Sequence, residues 1–237
     1  MYKIEICFLP EEKKNKGGIS VVIDILRFTS VVSYALSNGA KSIIPVKTIE
    51  EALELKNRFP DYLLAGERHS EKIEGFDFGN SPFEFTKRNV EGKNIISTTT
   101  NGTRAVNTVQ NSDEIIAGSY LNARIVLNYL KNKKDDIYLI CSGTNGKVSM
   151  EDVLFAGLLS SNLKEDFHLG DSARIGKEIY DIHKDDLQNF ILNNSEHAGV
   201  LLSKNKFDDI ELCGKIDVVE ILPVWRFKDR SFGREKV

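Results

Sequence analysis

The sequence predicts an α/β fold, layered α/β/α around a mixed sheet and closed by a helical C-terminal cover. Two patterns carry that reading. Short apolar runs of strand length alternate with amphipathic stretches of helical length through about residue 160, as in chains built from βαβ units. From Lys164 onward the pattern becomes mostly helical with polar connections, through His183-Lys184-Asp185 and Asn193-Asn194-Ser195.

In chain order the strands are expected at Ile4–Leu9, Val21–Leu26, Ser42–Val46, Tyr62–Ala65, Asn94–Ser97, Glu114–Ala117, Ile137–Cys141 and Val218–Leu222. Asn38-Gly39 reads as a helix stop. Helix starts carry capping boxes, in which a side chain and a backbone N–H satisfy one another reciprocally: Thr48 with Glu51, Ser81 with Glu84 after Pro82, and Ser149 with Asp152 in shortened form. A shift of about 72 residues lays Val22-Ile23-Asp24-Ile25 on Asn94-Ile95-Ile96-Ser97 and Ser42-Ile43-Ile44 on Glu114-Ile115-Ile116. After a short insertion, Tyr62-Leu63-Leu64 falls on Tyr138-Leu139-Ile140. Two pseudo-repeated β-α-β-α-β halves are one explanation; any two βα arrays align this loosely, which is the other. The chain is expected to form one unit over residues 1–237, the alternative being lobes at 1–90 and 91–237.

A chain of 237 residues buries about 70–75% of its unfolded surface, enough for a large core without disulfides or metals as staples. The formal charge of -3 and the lack of a long Lys/Arg block argue against nucleic acid as a partner. No apolar run reaches the roughly 18 residues of a membrane span, and Met1-Tyr2-Lys3-Ile4-Glu5 does not read as a signal peptide. A cytoplasmic protein is expected, with no membrane partner and homo-oligomerisation left open. Cys7, Cys141 and Cys213 form no CxxC pair and read as reduced thiols.

Four strand ends stop in residues suited to a ligand with several negative charges. Ser97-Thr98-Thr99-Thr100-Asn101-Gly102-Thr103 offers hydroxyls and backbone N–H groups at a strand-to-helix turn. Asp24-Ile25-Leu26-Arg27-Phe28-Thr29-Ser30, Gly66-Glu67-Arg68 and Cys141-Ser142-Gly143-Thr144-Asn145-Gly146-Lys147 add carboxylates, guanidiniums and more hydroxyls. Nucleotide motifs are missing: there is no G-x-G-x-x-G, and Gly146-Lys147-Val148 lacks the Walker A spacing. Cys141 followed at a distance by Lys147 falls short of a cysteine-phosphatase loop, which needs an arginine to stabilise the thiolate. Asp24 ends a strand as an aspartyl nucleophile would, but Leu26 stands where that class places a second aspartate. Mg²⁺ takes one or two carboxylates and keeps several waters, so Asp24, Glu67, Glu151 and Asp152 are its candidate ligands, each with a helix-dipole or surface role as the alternative. The four histidines lack a paired spacing for zinc. Arg27 and Arg68 carry forked donors for phosphate, carboxylate or sulfonate, with a structural ion pair as the alternative.

Taken together, these stretches resemble the 2-phosphosulfolactate phosphatase family of coenzyme M biosynthesis. The resemblance is carried by Val21 through Ser30, Gly66-Glu67-Arg68, Gly75-Phe76-Asp77-Phe78-Gly79-Asn80-Ser81-Pro82, Thr98 through Thr103, Gly118-Ser119 with Asn122-Ala123, and Cys141-Ser142-Gly143 leading to Ser149-Met150-Glu151-Asp152. Phe28, and His69-Ser70 after Arg68, depart from the family pattern and bear on the outer pocket. The resemblance implies a Mg²⁺-dependent hydrolase that converts (2R)-phosphosulfolactate to sulfolactate and phosphate. Another 2-hydroxy-acid phosphate as substrate, or a metabolite-binding protein without catalysis, are the alternatives. Such a substrate carries about four negative charges, and phosphoryl transfer depends mainly on positioning and charge stabilisation. On this reading Asp24, Arg27 and Arg68 are catalytic; Asp24, Glu67, Glu151 and Asp152 hold metal. Substrate contacts are expected from Arg27, Thr29, Ser30, Arg68, Asn80, Thr99, Thr100, Asn101, Gly102, Thr103, Ser119, Asn122 and Ser142.

Overall fold

The computed structural model describes residues 1–10 and 17–235. The first half runs β1 (Lys3–Cys7), β2 (Ile19–Ile23), α1 (Phe28–Ser37), β3 (Ser42–Pro45), α2 (Ile49–Arg58), β4 (Leu63–Arg68), β5 (Glu71–Lys72) and the single turn α3 (Lys87–Val90). The second runs β6 (Asn94–Thr98), α4 (Gly102–Thr108), β7 (Glu114–Gly118), α5 (Ala123–Lys131), β8 (Ile137–Cys141) and α6 (Met150–Leu163). The cover follows: β9 (His168–Leu169), α7 (Asp171–His183), α8 (Leu187–Asn194), α9 (Glu196–Ser203) and α10 (Phe207–Cys213), then β10 (Pro223–Arg226) and β11 (Ser231–Arg234). Among the described residues no helix is long and apolar enough to cross a membrane.

The local signals act largely as the sequence predicts. Thr48 accepts the Glu51 N–H at the start of α2, Ser81 and Glu84 form a capping box around the Pro82–Glu84 turn, and Gly39 takes the positive φ that ends α1. Ser149 does not cap α6: its hydroxyl pairs with Thr144 Oγ1 at 2.8 Å. The expected strand at Val218–Leu222 is also corrected. That segment runs irregularly beside residues 120–122, with the Val219 N–H donating to the Leu121 carbonyl, and the strand begins only at Pro223 as the first arm of a hairpin.

The sheet order is β5-β4-β6-β3-β11-β10-β7-β2-β8-β1-β9. β4, β6 and β3 are mutually parallel, as are β7, β2, β8, β1 and β9, while the β10–β11 hairpin is antiparallel to both blocks. The repeat is visible in this order, since β4-β6-β3 mirrors β8-β2-β7 across the hairpin. Each half lends its first strand to the other: β2 lies between β7 and β8, and β6 between β3 and β4. The register corrects the sequence alignment. Ser42 pairs with Asn94 as Glu114 pairs with Ile19, and Leu63 pairs with Ile95 as Tyr138 pairs with Ser20. The offset is therefore 72 residues for the second strand and 75 for the first and third.

Three strand reversals at the hairpin make the two blocks run oppositely. A twist of about 20–25° per step, accumulated over the five steps from β6 to β2, amounts to about 100–125° and turns their carboxyl ends toward each other. All five residues of β2 are buried, as expected for a strand covered on both faces. One core cluster lies between the sheet and α5 to α10; another, under α1 and α4, is centred on Phe28, Trp225 and Phe232. Phe232 meets Trp225 and Phe28 edge-on at centroid distances of 5.2 and 6.5 Å. Because it packs the hairpin onto α1, Phe232→Ala is expected to cost about 3–5 kcal/mol in urea unfolding. Truncation of the exposed Phe227 should change stability by no more than about 0.5 kcal/mol.

Candidate active site

The turns after β2, β4, β6 and β8 meet around one crevice of about 200 Å³. After β2, Asp24 turns back on its own segment: its Oδ1 accepts the Phe28 N–H at 3.1 Å, while Thr29 Oγ1 accepts the Asp24 N–H and donates to the Asp24 carbonyl. Ser30 Oγ donates to the Ile25 carbonyl. These bonds aim the carboxylate across to the turn after β6, whose Gly102 lies so close that a Cβ there would stand 2.5 Å from Asp24 Oδ2 and from Phe28 Cβ. Only glycine permits that approach. Asn101 Oδ1 accepts the Asn145 N–H at 3.1 Å, tying in the turn after β8.

The four expected carboxylates fall into two layers. Asp24 and Glu67 line the crevice. Glu67 is held by two N–H donors, from Thr100 to Oε1 and from Ser70 to Oε2, both at 2.8 Å. Asp152 and Glu151 are buried and absent from the lining. Asp152 Oδ1 accepts the Ile25 N–H at 2.9 Å, and Oδ2 accepts the Gly143 N–H and the Ser142 hydroxyl, each at 3.1 Å. Glu151 Oε2 accepts the Ser195 hydroxyl at 2.7 Å. Burial raises all three of Asp24, Glu151 and Asp152, Asp24 to about 7, with neighbouring carboxylates adding to the rise for Asp24 and Asp152. Among the described residues no three carboxylate, imidazole or thiol side chains converge as a metal cage. Of the four expected metal ligands, Asp24 and Glu67 line the crevice and could hold a Mg²⁺ ion, which takes one or two carboxylates and keeps waters, while Glu151 and Asp152 lie behind it.

The two expected arginines part company. Arg27 lines the crevice although it is only 3% exposed, because Asp209 on α10 binds its Nη1 in a buried ion pair and also accepts the Ser81 hydroxyl. Arg68 is turned away. Alternation along β4 sends Glu67 to the crevice and Arg68 to the other side, where its guanidinium donates to the Glu67 carbonyl at 2.7 Å and to Thr98 Oγ1 at 3.0 Å. Arg68, expected to be catalytic and to bind substrate, lies outside the crevice lining and braces β4 against β6.

Of the expected substrate contacts, Asn80, Thr99, Thr100 and Asn101 line the crevice. Thr29, Ser30, Gly102, Thr103 and Ser142 shape its turns without lining it. Ser119 and Asn122 are away from it: they form a buried capping box, and Asn122 Nδ2 donates to the Ile221 carbonyl at 3.1 Å. The N–H cradle of the β6 turn is partly filled by the protein itself, since the Thr100 N–H serves Glu67 and the Thr103 N–H donates to Thr99 Oγ1.

The crevice is also lined by Leu26, Thr144 and Asn145, which lie in the strand-end motifs without an assigned role, by His69 and Ser70, expected at the outer pocket, and by a wall from the cover that no sequence motif includes: His197, Val200 and Lys204. Their i, i+3, i+7 spacing places His197 and Val200 on one face of α9 and Lys204 at its C-terminal cap, a signal available in the sequence but with nothing there to say what the face covers. Burial, then the nearby Arg27, lowers the His197 imidazole below its usual value, so it is neutral at pH 7. Lys204 pairs with Glu71 at 2.9 Å across the mouth. A larger groove of about 920 Å³ between α2 and the hairpin contains none of these strand-end groups.

A polar crevice at converging strand ends, with two carboxylates facing hydroxyls and a buried guanidinium, defines an α/β enzyme for a small anionic substrate. Relatives make the class specific. The family model described as 2-phosphosulpholactate phosphatase matches residues 7–228, and the chain belongs to that family. Proteins named probable 2-phosphosulfolactate phosphatase are 46% identical in Thermotoga petrophila over 86% of this chain and 87% of theirs. Those of Caldanaerobacter subterraneus are 43% identical over 86% of each chain, and those of Clostridium perfringens 41% identical over 90% and 87%.

Cys141 ends β8 fully buried, and burial followed by the charge of Asp152 pushes its thiol well above the ordinary range. It is a packing residue, not a thiolate. Cys141→Ser is expected to retain most phosphatase activity, and thiol reagents should leave Cys141 unlabelled in the folded protein; an inactive but folded variant, or a trapped phosphocysteine, would contradict this.

Proposed function

We propose that the crevice hydrolyses (2R)-2-phospho-3-sulfolactate to sulfolactate and inorganic phosphate, with Mg²⁺ held by Asp24 and Glu67. The observation that carries the reading is the meeting of these two carboxylates, from separate strand ends, with Thr99, Thr100, Asn101 and Arg27 in one small cavity. Family membership supplies the substrate.

The chain's own groups account for binding and orientation. The Asp24 and Glu67 carboxylates are fixed by backbone N–H donors and cannot swing away from the cavity. Thr99, Thr100 and Asn101 present hydroxyls and an amide to phosphoryl oxygens. Arg27, nearly buried and fixed by Asp209, offers the remaining donors of its planar fork to an acid group of the substrate. When bound, Mg²⁺ would offset phosphoryl charge and lower the pKa of a coordinated water. α9 roofs the cavity and limits water.

Phosphate release should depend on a divalent ion: chelator-treated protein is expected to be inactive and to recover on adding Mg²⁺, and full turnover in chelator would remove the metal from the reading. Asp24→Asn should keep the fold by circular dichroism and lower kcat by at least about a hundredfold. Near wild-type turnover would make Asp24 a structural group.

A further inference from the structure

The crevice is lined by charges of both signs, arranged by depth. Asp24, Glu67 and Arg27 lie at the bottom, all nearly buried. Lys204 lies at the rim, with its side chain 27% exposed, in contact with Glu71, which is 63% exposed. An ion pair this exposed contributes little and is easily exchanged for another partner. The Arg27 pair with Asp209 differs, being buried on both sides; it fixes the guanidinium in place while leaving other N–H donors of the planar fork for a ligand.

The substrate has a matching order. Its phosphoryl oxygen and its carboxylate share one carbon, while the sulfonate is one carbon further out. With the phosphoryl group at Asp24 and Glu67, the carboxylate falls at the depth of Arg27 and the sulfonate reaches toward the mouth. We propose that Lys204 is a specificity-determining residue that leaves Glu71 to bind the sulfonate, with Arg27 beneath it taking the carboxylate. The assignment rests on the phosphosulfolactate reading above. It transfers recognition of the acid end from Arg68, which faces away, to the C-terminal cover. It also gives α9 a chemical role, because Ser195, the cap of that helix, is bonded to Glu151 and so sets where Lys204 arrives.

The test compares wild type, Lys204→Met, Lys204→Arg and Glu71→Gln on phosphosulfolactate and on 2-phospholactate, which has a methyl group in place of the sulfonate-bearing carbon. Lys204→Met should raise KM for phosphosulfolactate at least tenfold and change that for phospholactate less than threefold, with Lys204→Arg largely restoring the difference. Equal effects on both substrates, or none on either, overturn the proposal. Calorimetric binding of 3-sulfolactate separates this question from catalysis. A tenfold loss in Lys204→Met alone supports the subsite even if neither ester is hydrolysed, which would sink the proposed reaction. Equal binding by wild type and Lys204→Met overturns the subsite even if hydrolysis is found. Glu71→Gln, which removes the competing carboxylate, should bind 3-sulfolactate at least as tightly as wild type; a loss like that of Lys204→Met counts against the proposal. Melting temperatures of the variants should stay within a few degrees of wild type.

Discussion

The Asp152 carboxylate holds together two chain segments that no strand pairing joins at that point. Its oxygens take N–H groups from Ile25, in the turn after β2, and Gly143, in the turn after β8, together with the Ser142 hydroxyl. Its neighbour Glu151 takes the hydroxyl of Ser195 and thereby anchors the roof helix. One turn of α6 thus fixes the floor and the cover of the crevice. Burying two adjacent carboxylates is costly, and the cost is tolerable only because each is hydrogen-bonded. These interactions make α6 a frame for the site.

The repeat gives the site its chemical asymmetry. At the offset of 75 residues defined by strand register, Asp24 corresponds to Thr99 and Glu67 to Ser142. The first half therefore supplies carboxylates where the second supplies hydroxyls, at equivalent strand ends. Exchange of the first strands is what brings them together. β2 belongs to the first half by sequence but is paired inside the second block, so Asp24 emerges beside Ser142, while Thr99 and Glu67 emerge together from the other block.

The sequence exposed the chemistry of the strand ends more clearly than their geometry. Seven strands are legible from apolar runs, and Asp24, Arg27, Glu67, Asn80 and Thr99 to Asn101, all expected as site residues, line one crevice. What escaped depends on long-range contacts. The β10–β11 hairpin carries the charged turn Lys228-Asp229-Arg230, and its insertion at the centre of the sheet leaves no local trace. Arg68 lies apart from the crevice because adjacent residues of a strand face opposite ways, and the sequence does not say which of Glu67 and Arg68 faces it. Asp209 looks like an ordinary acidic residue near a helix start, and only its contact with Arg27, 182 residues away, distinguishes it.

That contact also settles how charge is balanced in the crevice. Arg27 is close enough to lower the imidazole of His197, yet the ion pair with Asp209 compensates much of its charge. The Asp24 carboxyl remains raised because it is buried and because Glu67 and Glu151 lie near it. Asp24 and Glu67 are held by N–H donors but face no cationic side chain of their own among the described hydrogen bonds and ion pairs. A crevice so arranged repels a multiply charged phosphate ester at its floor and attracts it at its rim. A divalent cation held by Asp24 and Glu67, as proposed above, would reverse the sign at the floor and let these buried charges favour the phosphoryl group instead of repelling it.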